Sequence, residues 1–372
     1  MSKILSIGTA NPSHRHDQSQ ILTFMQTVYA FGEADKRKLR FLYNNSGISS
    51  RYSVIPDYSL DLPGWEFFPK GENLEPFPTI EPRLKWYDKF APALSAAAIN
   101  DCVAGRMNSN EITHLITVSC TGMSAPGLDL QLVELLNLPL TTNRTSVNFM
   151  GCYAAIHALK MANDICTANP VAKVMIVCTE LCTLHFQRDA GMDSVASALL
   201  FGDGSAAVLV TGDNAPDLMF DGNTQKSLHL DQFYSEIVPR GKKDMTWEIS
   251  SSGFLMTLSN YIPELIEHDF LQLVTNALKG VGLDHTTIDN WCIHPGGKRI
   301  LEAVSKSLDL PKDRLQPSYD VMKEYGNMSS PTILFVLKQI LEKLRSGETP
   351  STPVFGAAFG PGLTMETFVA SY

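Results

Sequence analysis

The sequence predicts an α/β fold with covered sheets, arranged as two similar halves. Short apolar runs bounded by turn residues alternate with segments of helical spacing, first between residues 114 and 210 and again between 261 and 371. Continuous apolar runs are typical of strands buried on both faces, and their alternation with helices favours an α/β architecture. A turn-rich stretch at 212–230 separates the two series, so we expect one half at 1–220 and the other at 221–372.

The N-terminal half carries three strand patterns and three helix patterns. The predicted strands are 114–120, 173–180 and 206–210, and the predicted helices are 128–138, 154–164 and 192–201. The opening segment MSKILSIGTANP predicts a further strand and a turn. It does not predict a signal peptide, because it has neither a long apolar stretch nor a cleavage site of small residues. The segment 53–82 predicts an ordered surface loop, since its prolines block regular structure and aromatic residues at this density usually pack.

The C-terminal half shows the same alternation of strand and helix patterns. Residues 261–283 have helical spacing, and 290–297 predicts a strand that runs into a turn. Residues 331–347 predict a helix with Gly347 as its C-cap. The last segment, 353–371, predicts a strand, a Gly-Pro turn and a closing strand.

Composition excludes several classes of function. Of the 372 residues 44% are hydrophobic and 19% are charged, and no apolar run reaches the ~18 residues of a membrane span. The formal net charge of −9 argues against nucleic acid as a partner. Seven cysteines without disulfide-like or metal-like spacing predict reduced thiols in a cytoplasmic protein and no metal site. The basic segment KRKLR at 36–40 is either a solvated helix face or a docking patch for a phosphate-bearing substrate.

The stretch SVNFMGCYAAIHAL at 146–159 places a thiol where a strand passes into a helix. A helix N-terminus stabilises negative charge and lowers the pKa of a thiol, which favours Cys152 as a nucleophile. A packed core residue is the other interpretation, because free cysteines are among the most buried residues in proteins. Cys152 alone leaves both interpretations open.

Two further residues supply the partners that a nucleophilic thiol requires. His294 ends an apolar strand and precedes PGG, and Asn327 lies in EYGNMSSPT just before a strong helix pattern. A thiolate can accept an acyl group from a thioester, while an imidazole and an amide can stabilise the enolate formed by decarboxylation. A cysteine protease uses the same residue types with the Asn orienting the His, and helix N-capping is the structural role open to Asn327. Spacing alone does not separate these alternatives.

Several segments together resemble the type III polyketide synthases, the chalcone synthase-like family of the thiolase superfamily. They are GCYAAIHALKMAND, CIHPGGKRIL, YGNMSSPTILFVL and AFGPGLTMET, with ALLFGDGSAAVLV and ITHLITVSCTGMSAPGLDLQL. They occur in the order and at the spacing of the family, over roughly residues 85–372. The resemblance implies a thiolase-type αβαβα five-layer fold made of two similar halves, a homodimer, acyl-CoA and malonyl-CoA as substrates, and no metal or organic cofactor.

The resemblance also implies site residues by position. Cys152 resembles the acyl-accepting nucleophile, and His294 with Asn327 resembles the pair that promotes decarboxylation and stabilises the oxyanion. In this assignment His294 also holds Cys152 as a thiolate in an ion pair. Phe201 resembles the gatekeeping phenylalanine between the CoA tunnel and the cavity, and Ser329 resembles a cavity-wall residue. Further substrate-binding positions in the matching motifs are Gly296, Gly297, Gly360 and Pro361.

The sequence departs from the family pattern at several substrate-binding positions. Met256 stands at a second gatekeeper position that is usually aromatic. Trp247 stands where chalcone-forming members have a small residue, so we expect a smaller cavity and few extensions. His185 replaces a small polar residue. Among the CoA-facing basic positions Lys38 is kept, and Arg40 could supply positive charge where another is lost.

The predicted function is an acyltransferase that loads an acyl-CoA starter on its cysteine and extends it by decarboxylative Claisen condensation with malonyl-CoA. A ketoacyl synthase III-like enzyme that uses an acyl carrier protein is the nearest alternative. A cysteine hydrolase of thioesters is the alternative from another class, and it would release free acid and ignore malonyl-CoA.

Overall fold

A nine-stranded mixed sheet that runs through both halves of the chain organises the fold. The computed structural model describes residues 2–29, 31–71, 73–189, 191–216, 219–220, 223–224 and 226–372. Its strands are β1 (Ser2–Ala10), β2 (His14–Asp17), β3 (Ser50–Ser53), β4 (His114–Ser119), β5 (Asn143–Asn148), β6 (Lys173–Leu181), β7 (Asp203–Gly212), β8 (Met219–Phe220), β9 (Asn223–Thr224), β10 (Leu228–Ile237), β11 (Met245–Ser250), β12 (Gly253–Leu258), β13 (Asn290–Ile293), β14 (Val354–Gly360) and β15 (Thr364–Ser371). Its α-helices are α1 (Gln18–Tyr29), α2 (Glu33–Asn45), α3 (Ile80–Val103), α4 (Leu128–Leu135), α5 (Ala154–Ala168), α6 (Met192–Leu200), α7 (Ile262–Lys279), α8 (Lys298–Ser307), α9 (Gln316–Tyr325) and α10 (Thr332–Ser346).

The nine strands fall into two series with the same internal order. From the edge to the centre the N-terminal series runs β5, β4, β6, β7, β1, and the C-terminal series runs β13, β14, β15, β10. The outer neighbours are parallel, as in β4–β6 and β13–β14, and the inner neighbours are antiparallel. The two series meet where β1 and β10 pair antiparallel. The boundary expected between residues 220 and 221 adjoins residues 221–222, which lie outside the described ranges.

Two helices lie between the two series of strands, and two others cover the outside. Helix α5 packs against β6 and β7 and also against β15, while α10 packs against β13 and also against β1 and β7. Helix α3 covers β1, β6 and β7, and α7 covers β10 and β15. Helices and sheet halves therefore alternate in five layers, which confirms the αβαβα fold that the resemblance implied.

Small side chains allow α5 to occupy the central layer. Ala154, Ala155, Ala158 and Ala162 are fully buried in an apolar cluster that includes residues of both sheet halves. Short side chains at these positions let both sheet halves pack closely against the helix. The start of α5, which Cys152 precedes, is consequently placed deep in the protein.

The strands and helices predicted from the sequence are confirmed with small shifts at their ends. The helix predicted at 128–138 ends at Leu135, because Asn137 adopts a positive φ of 50°. The helix predicted at 261–283 spans Ile262–Lys279. Gly347 closes α10 in the left-handed conformation with φ 75°, as expected of a C-cap. Sequence patterns did not indicate α1, most of α3 or the β11–β12 hairpin, and they indicated α2 only through the helix face considered at 36–40.

The aromatic segment 53–82 is an ordered loop where the structure describes it. The rings of Tyr58, Trp65 and Phe68 surround that of Phe24 on α1, with centroid distances of 4.7, 4.9 and 5.4 Å. These contacts confirm that the loop packs as predicted. They also anchor α1 against the N-terminal half of the protein.

Candidate active site

Cys152 lies in the turn between β5 and α5. Gly151 has a positive φ of 85°, and a Cβ at this position would lie 2.2 Å from Cδ of Pro361. A side chain therefore cannot be accommodated, and the turn between β14 and β15 closes over the cysteine. Gly360 also lies near the cysteine, since a Cβ there would lie 3.4 Å from the Cys152 amide nitrogen. The predicted positions Gly360 and Pro361 thus border Cys152.

The thiol of Cys152 is buried and contacts two polar neighbours. Its Sγ–H donates to Oγ of Ser329 at 3.6 Å. Burial raises the pKa of Cys152 to about 11, and the hydrogen bonds with Ser329 and Asn327 only partly offset this effect. Burial therefore opposes the effect of the helix N-terminus on this thiol.

His294 follows the last residue of β13 and is almost completely buried. Its backbone N–H donates to the carbonyl of Ala357 at 2.9 Å, which fixes the residue at the end of the sheet. Neither ring nitrogen has a hydrogen-bond partner among the described residues. Burial lowers the pKa of His294 to about 3, so the imidazole is neutral. Burial disfavours the charged form of both Cys152 and His294, and the thiolate–imidazolium pair implied by the resemblance stays a prediction.

The amide of Asn327 borders the same space as the imidazole of His294. Its Oδ1 accepts the N–H of Ser329 at 2.8 Å, and its Nδ2 donates to the carbonyl of Gly296 over a long 3.5 Å. A Cβ on Gly296 would lie 3.7 Å from Cδ2 of His294, so this glycine separates the two side chains. Helix α10 begins only at Thr332, and the N-cap role considered for Asn327 does not apply. Since the bond to Gly296 is long, the amide N–H remains suited to a substrate oxygen.

Gly326 sets the backbone that presents Asn327. Its φ is 66°, and a Cβ would lie 2.7 Å from the carbonyl oxygen of Leu200 and 2.8 Å from Cδ of Arg51. This close approach lets Asn327 form a parallel bridge with Phe201, with a 2.9 Å hydrogen bond on each side. The predicted gatekeeper is therefore joined through the backbone to the predicted oxyanion residue.

Glu180 is a buried acid near the site that the sequence interpretation missed. Its carboxylate accepts the backbone N–H of Cys120 at 2.9 Å and the hydroxyls of Thr121 and Ser330 at 2.7 and 2.8 Å. Burial nevertheless raises the pKa of Glu180 to about 7, and its charge in turn raises the pKa of Cys152. The signal available in the sequence was an acid at the end of the apolar run KVMIVCTE.

Replacing Glu180 by Gln is expected to change the pH dependence of stability. The folded state binds the proton of Glu180 more tightly than the unfolded chain, in which this carboxyl has its ordinary pKa of 4.5. The wild type therefore loses stability as the pH rises from 4.5 through 7, by about 3 kcal/mol, and Glu180→Gln does not. Denaturant unfolding at pH 4.5 and pH 8 measures this difference, with exposed Glu342→Gln as the control. An equal change in the free energy of unfolding between pH 4.5 and pH 8 in the wild type and in Glu180→Gln would contradict this expectation.

A cavity of about 280 Å³ lies beside Phe201. Four predicted substrate-binding residues, Phe201, Met256, Trp247 and His185, line it. Cys152, His294 and Asn327 do not. The inner wall instead includes Phe201, which is bridged to Asn327, and Cys182, whose thiol interacts electrostatically with Cys152.

Trp247 and His185 form a rigid aromatic wall of this cavity. Trp247 pairs across the β11–β12 hairpin with Met256, and its Nε1 donates to the carbonyl of Cys120 at 2.7 Å. His185 donates from Nε2 to the carbonyl of Thr121 at 2.6 Å and accepts the Phe254 N–H at Nδ1. Burial lowers the pKa of His185 to about 3. Because both of its nitrogens are engaged, His185 acts as a flat surface and not as an acid or base.

The remaining predicted substrate-binding residues lie outside the cavity. Gly297 adjoins Leu200, since a Cβ there would lie 3.6 Å from Cδ2 of Leu200. Lys38 and Arg40 are exposed on α2, and Lys38 pairs with Asp35 at 3.1 Å. This position matches a solvated helix face, and nothing in its contacts adds a phosphate site.

The described residues also bear on membranes and metals. Within them, no helix has the length and apolar character needed to cross a membrane. The same part of the chain holds no group of three or more His, Cys, Asp or Glu side chains that could bind a metal ion.

Comparisons with known proteins agree with this geometry. The N-terminal domain model of chalcone and stilbene synthases matches residues 1–214, and the C-terminal domain model matches 229–371. PKS-I from the brown alga Ectocarpus siliculosus is 28% identical, with a TM-score of 0.91 over 100% of this chain and 98% of that one. The C-terminal type III polyketide synthase domain of Steely1, a type I/III hybrid from Dictyostelium, is 26% identical, with a TM-score of 0.88 over 100% and 99%. The chain belongs to the chalcone and stilbene synthase family and is a type III polyketide synthase.

Proposed function

We propose that the enzyme loads an acyl group from acyl-CoA onto Cys152 and extends it with malonyl-CoA by decarboxylative Claisen condensation. The observation that carries this proposal is the buried imidazole of His294, whose two nitrogens have no hydrogen-bond partner among the described residues and which adjoins Gly296, as the Asn327 amide does. Unsatisfied polar groups are costly to bury, and they concentrate at functional sites. A substrate carbonyl that accepts hydrogen bonds from both groups relieves this cost.

Loading begins with transfer of the Cys152 proton to His294. The resulting thiolate attacks the thioester carbonyl of the starter, and the tetrahedral intermediate expels CoA as its thiolate, which takes the proton back from His294. Ser329 supports the sulfur by its hydrogen bond. Because burial disfavours each charge alone, the proton moves only when thiolate and imidazolium form together.

Extension uses His294 together with Asn327, and both act as hydrogen-bond donors. The thioester carbonyl of malonyl-CoA accepts hydrogen bonds from the neutral imidazole N–H and from Nδ2 of Asn327. Loss of CO₂ leaves its bonding electrons on the enolate, and the two donors stabilise the oxyanion. The enolate carbon then attacks the acyl thioester on Cys152, the cysteine leaves as a thiolate, and this thiolate takes a proton from solvent to restore the thiol.

Cofactor use, assembly and location are parts of the same proposal. The reaction needs no metal or organic cofactor, because the thioesters supply both the electrophile and the leaving groups. Strand β5 ends the sheet with an almost fully exposed face, which supports association of two copies in a homodimer. All seven cysteines are free, which supports a reducing, cytoplasmic location.

The direct test of the proposal is product formation. Purified enzyme with an acyl-CoA starter and malonyl-CoA should form CO₂ and a chain-extended product, which mass spectrometry detects. Free starter acid without extension would instead support a thioester hydrolase.

Trp247 is proposed to limit the number of extensions. Its ring lines the cavity and is fixed by the bond to Cys120, so it removes volume that a growing chain would fill. Trp247→Ala should yield products at least one extension longer, whereas Trp247→Phe, which keeps a ring, should shift the products less. Product masses from one starter measure this. Identical product distributions in the wild type and Trp247→Ala would show that Trp247 does not set chain length.

A further inference from the structure

Three neighbouring parallel strands each carry a cysteine at the same edge of the sheet. Strands β5, β4 and β6 are adjacent in that order, and both β5 and β6 pair parallel with β4. Cys120 directly follows β4, Cys182 directly follows β6, and Cys152 lies in the turn after β5. Because the carboxyl ends of parallel strands meet at one edge of a sheet, these three thiols are brought together, with Cys120 in the middle.

Cys120 contacts the turn that carries Cys152. Strand β4 pairs with β5 up to Ser119 and Asn148, so Cys120 extends this pairing toward the turn. Its Sγ accepts the backbone N–H of Gly151 at 3.0 Å, one residue before Cys152. Burial, the charge of Glu180 and the nearby Cys152 raise the pKa of Cys120, which shows that the two sulfurs are close enough to affect each other.

The backbone of Cys120 is fixed while its thiol takes no part in the condensation. Its N–H donates to Oε2 of Glu180 at 2.9 Å, and its carbonyl accepts Nε1–H of Trp247 at 2.7 Å. Neighbouring strands lie about 4.8 Å apart, and the Cα atoms of a disulfide are about 4.4–6.8 Å apart. The strand spacing therefore suits a bond between Cys120 and a cysteine at the end of β5.

Two other cysteines near the site are less well placed for such a bond. Cys182 is separated from Cys152 by Cys120 in the order of the strands, and it lines the cavity beside Phe201. Cys178 lies inside β6 and is buried in the apolar cluster of the central layer. Cys120 is thus the neighbour that the geometry favours.

We propose that a hydroperoxide inactivates the enzyme reversibly by joining Cys152 to Cys120 in a disulfide. The Cys152 sulfur, having passed its proton to His294, attacks the peroxide and breaks the O–O bond. This gives a sulfenic acid on Cys152 and a hydroxide, which takes the proton from His294 and leaves as water. The Cys120 sulfur then attacks the sulfenic sulfur, and the hydroxyl group leaves as water with the Cys120 proton. Two thiols are oxidised, and both peroxide oxygens are reduced to water.

The disulfide protects the nucleophile while it blocks catalysis. A sulfenic acid without a neighbouring thiol is oxidised further to a sulfinic acid, which is not restored by a dithiol. A disulfide is restored by thiol exchange. The inference rests on the proposed function only in taking Cys152 as the nucleophile, since an oxidised Cys152 cannot accept an acyl group.

Peroxide treatment of the wild type tests the inference directly. The enzyme is incubated with hydrogen peroxide without reductant, and condensation is assayed before and after addition of dithiothreitol. We expect activity to fall at least about tenfold and to return to within about twofold of its starting value. A second sample is alkylated under denaturing conditions and digested without reduction, and the peptides that contain Cys120 and Cys152 should be joined. A sulfinic acid on Cys152 without this linkage would overturn the inference.

Two serine variants at the same edge of the sheet identify the second thiol. Cys120→Ser keeps an acceptor for the Gly151 N–H but cannot form the disulfide, while Cys182→Ser removes the next thiol along the edge. Each activity is expressed relative to that variant before peroxide. Cys120→Ser should lose activity irreversibly and carry a sulfinic acid on Cys152, whereas Cys182→Ser should recover with dithiothreitol as the wild type does. Equal recovery in both variants, or loss of recovery only in Cys182→Ser, would contradict the assignment of Cys120.

The peptide map separates this inference from the proposed function, because it needs neither a variant nor turnover. If no starter is extended but peroxide joins Cys120 to Cys152, the proposed function is wrong and the inference stands. If starters are extended and peroxide produces no such linkage, the proposed function stands and the inference is wrong.

Discussion

Cys152→Ser should release CO₂ from malonyl-CoA while forming no condensed product. The substitution keeps a group of similar size between Ser329 and Asn327, so the decarboxylating pair stays in place. The serine hydroxyl is far less acidic than a thiol, and the neutral imidazole of His294 cannot ionise it effectively. Loading and chain growth should therefore fall below detection, while CO₂ release remains measurable.

The matched control is Cys166→Ser. Cys166 lies on α5 near its opposite end and is 1% exposed, so it tests the loss of a buried sulfur without touching the site. This variant should retain condensation. Condensed product from Cys152→Ser, measured by mass spectrometry beside radiometric CO₂ release, would refute the assignment of the nucleophile.

Removal of either donor at the decarboxylation site should have the second largest effect. His294→Ala and Asn327→Ala each remove one hydrogen bond to the developing enolate oxygen. Loss of one such donor typically lowers kcat by about 10²–10³-fold. The change should appear in CO₂ release from malonyl-CoA, and it should appear even in the Cys152→Ser background. His268→Ala, at an exposed position on α7, is the control and should have no effect.

The pH dependence of CO₂ release adds a check on the role of His294. Burial lowers the pKa of His294 to about 3, so the imidazole stays neutral from about pH 4 upward. Because the donor stays neutral over this range, the rate of CO₂ release should show no ionisation near pH 6.5 that depends on His294. An acid-side loss of kcat centred near 6.5, present in the wild type and absent in the variant, would show that the ring titrates normally.

Much of the fold could be predicted because its pattern is local. The buried strands are continuous apolar runs, and α5 is marked by small apolar residues at helical spacing, so both are legible in sequence. Helix α1 and the β11–β12 hairpin were missed because their patterns are mixed. Trp247 and Met256 become cross-strand neighbours only through the register of that hairpin. Such register depends on the whole fold and not on a short window.

The candidate site was likewise predictable only where its sequence signals are local. Cys152, His294 and Asn327 were found because each stands in a distinctive motif, and the structure brings them around Gly296 and Ser329. Their protonation was not predictable, since the helix N-terminus favours a thiolate and burial opposes it. The extent of burial, which opposes ionisation of both Cys152 and His294, is a property of the folded chain. Glu180 was missed for the same reason, because its partners come from distant parts of the sequence.

Trapping the acyl-enzyme tests the central claim most directly. The wild type is mixed with an acyl-CoA starter alone, digested, and analysed by peptide mass spectrometry, and malonyl-CoA is then added to a parallel sample. The account predicts an acyl adduct on the peptide that contains Cys152, which disappears on addition of malonyl-CoA as CO₂ and an extended product form. An adduct on another cysteine, or release of the free starter acid without extension, would contradict it.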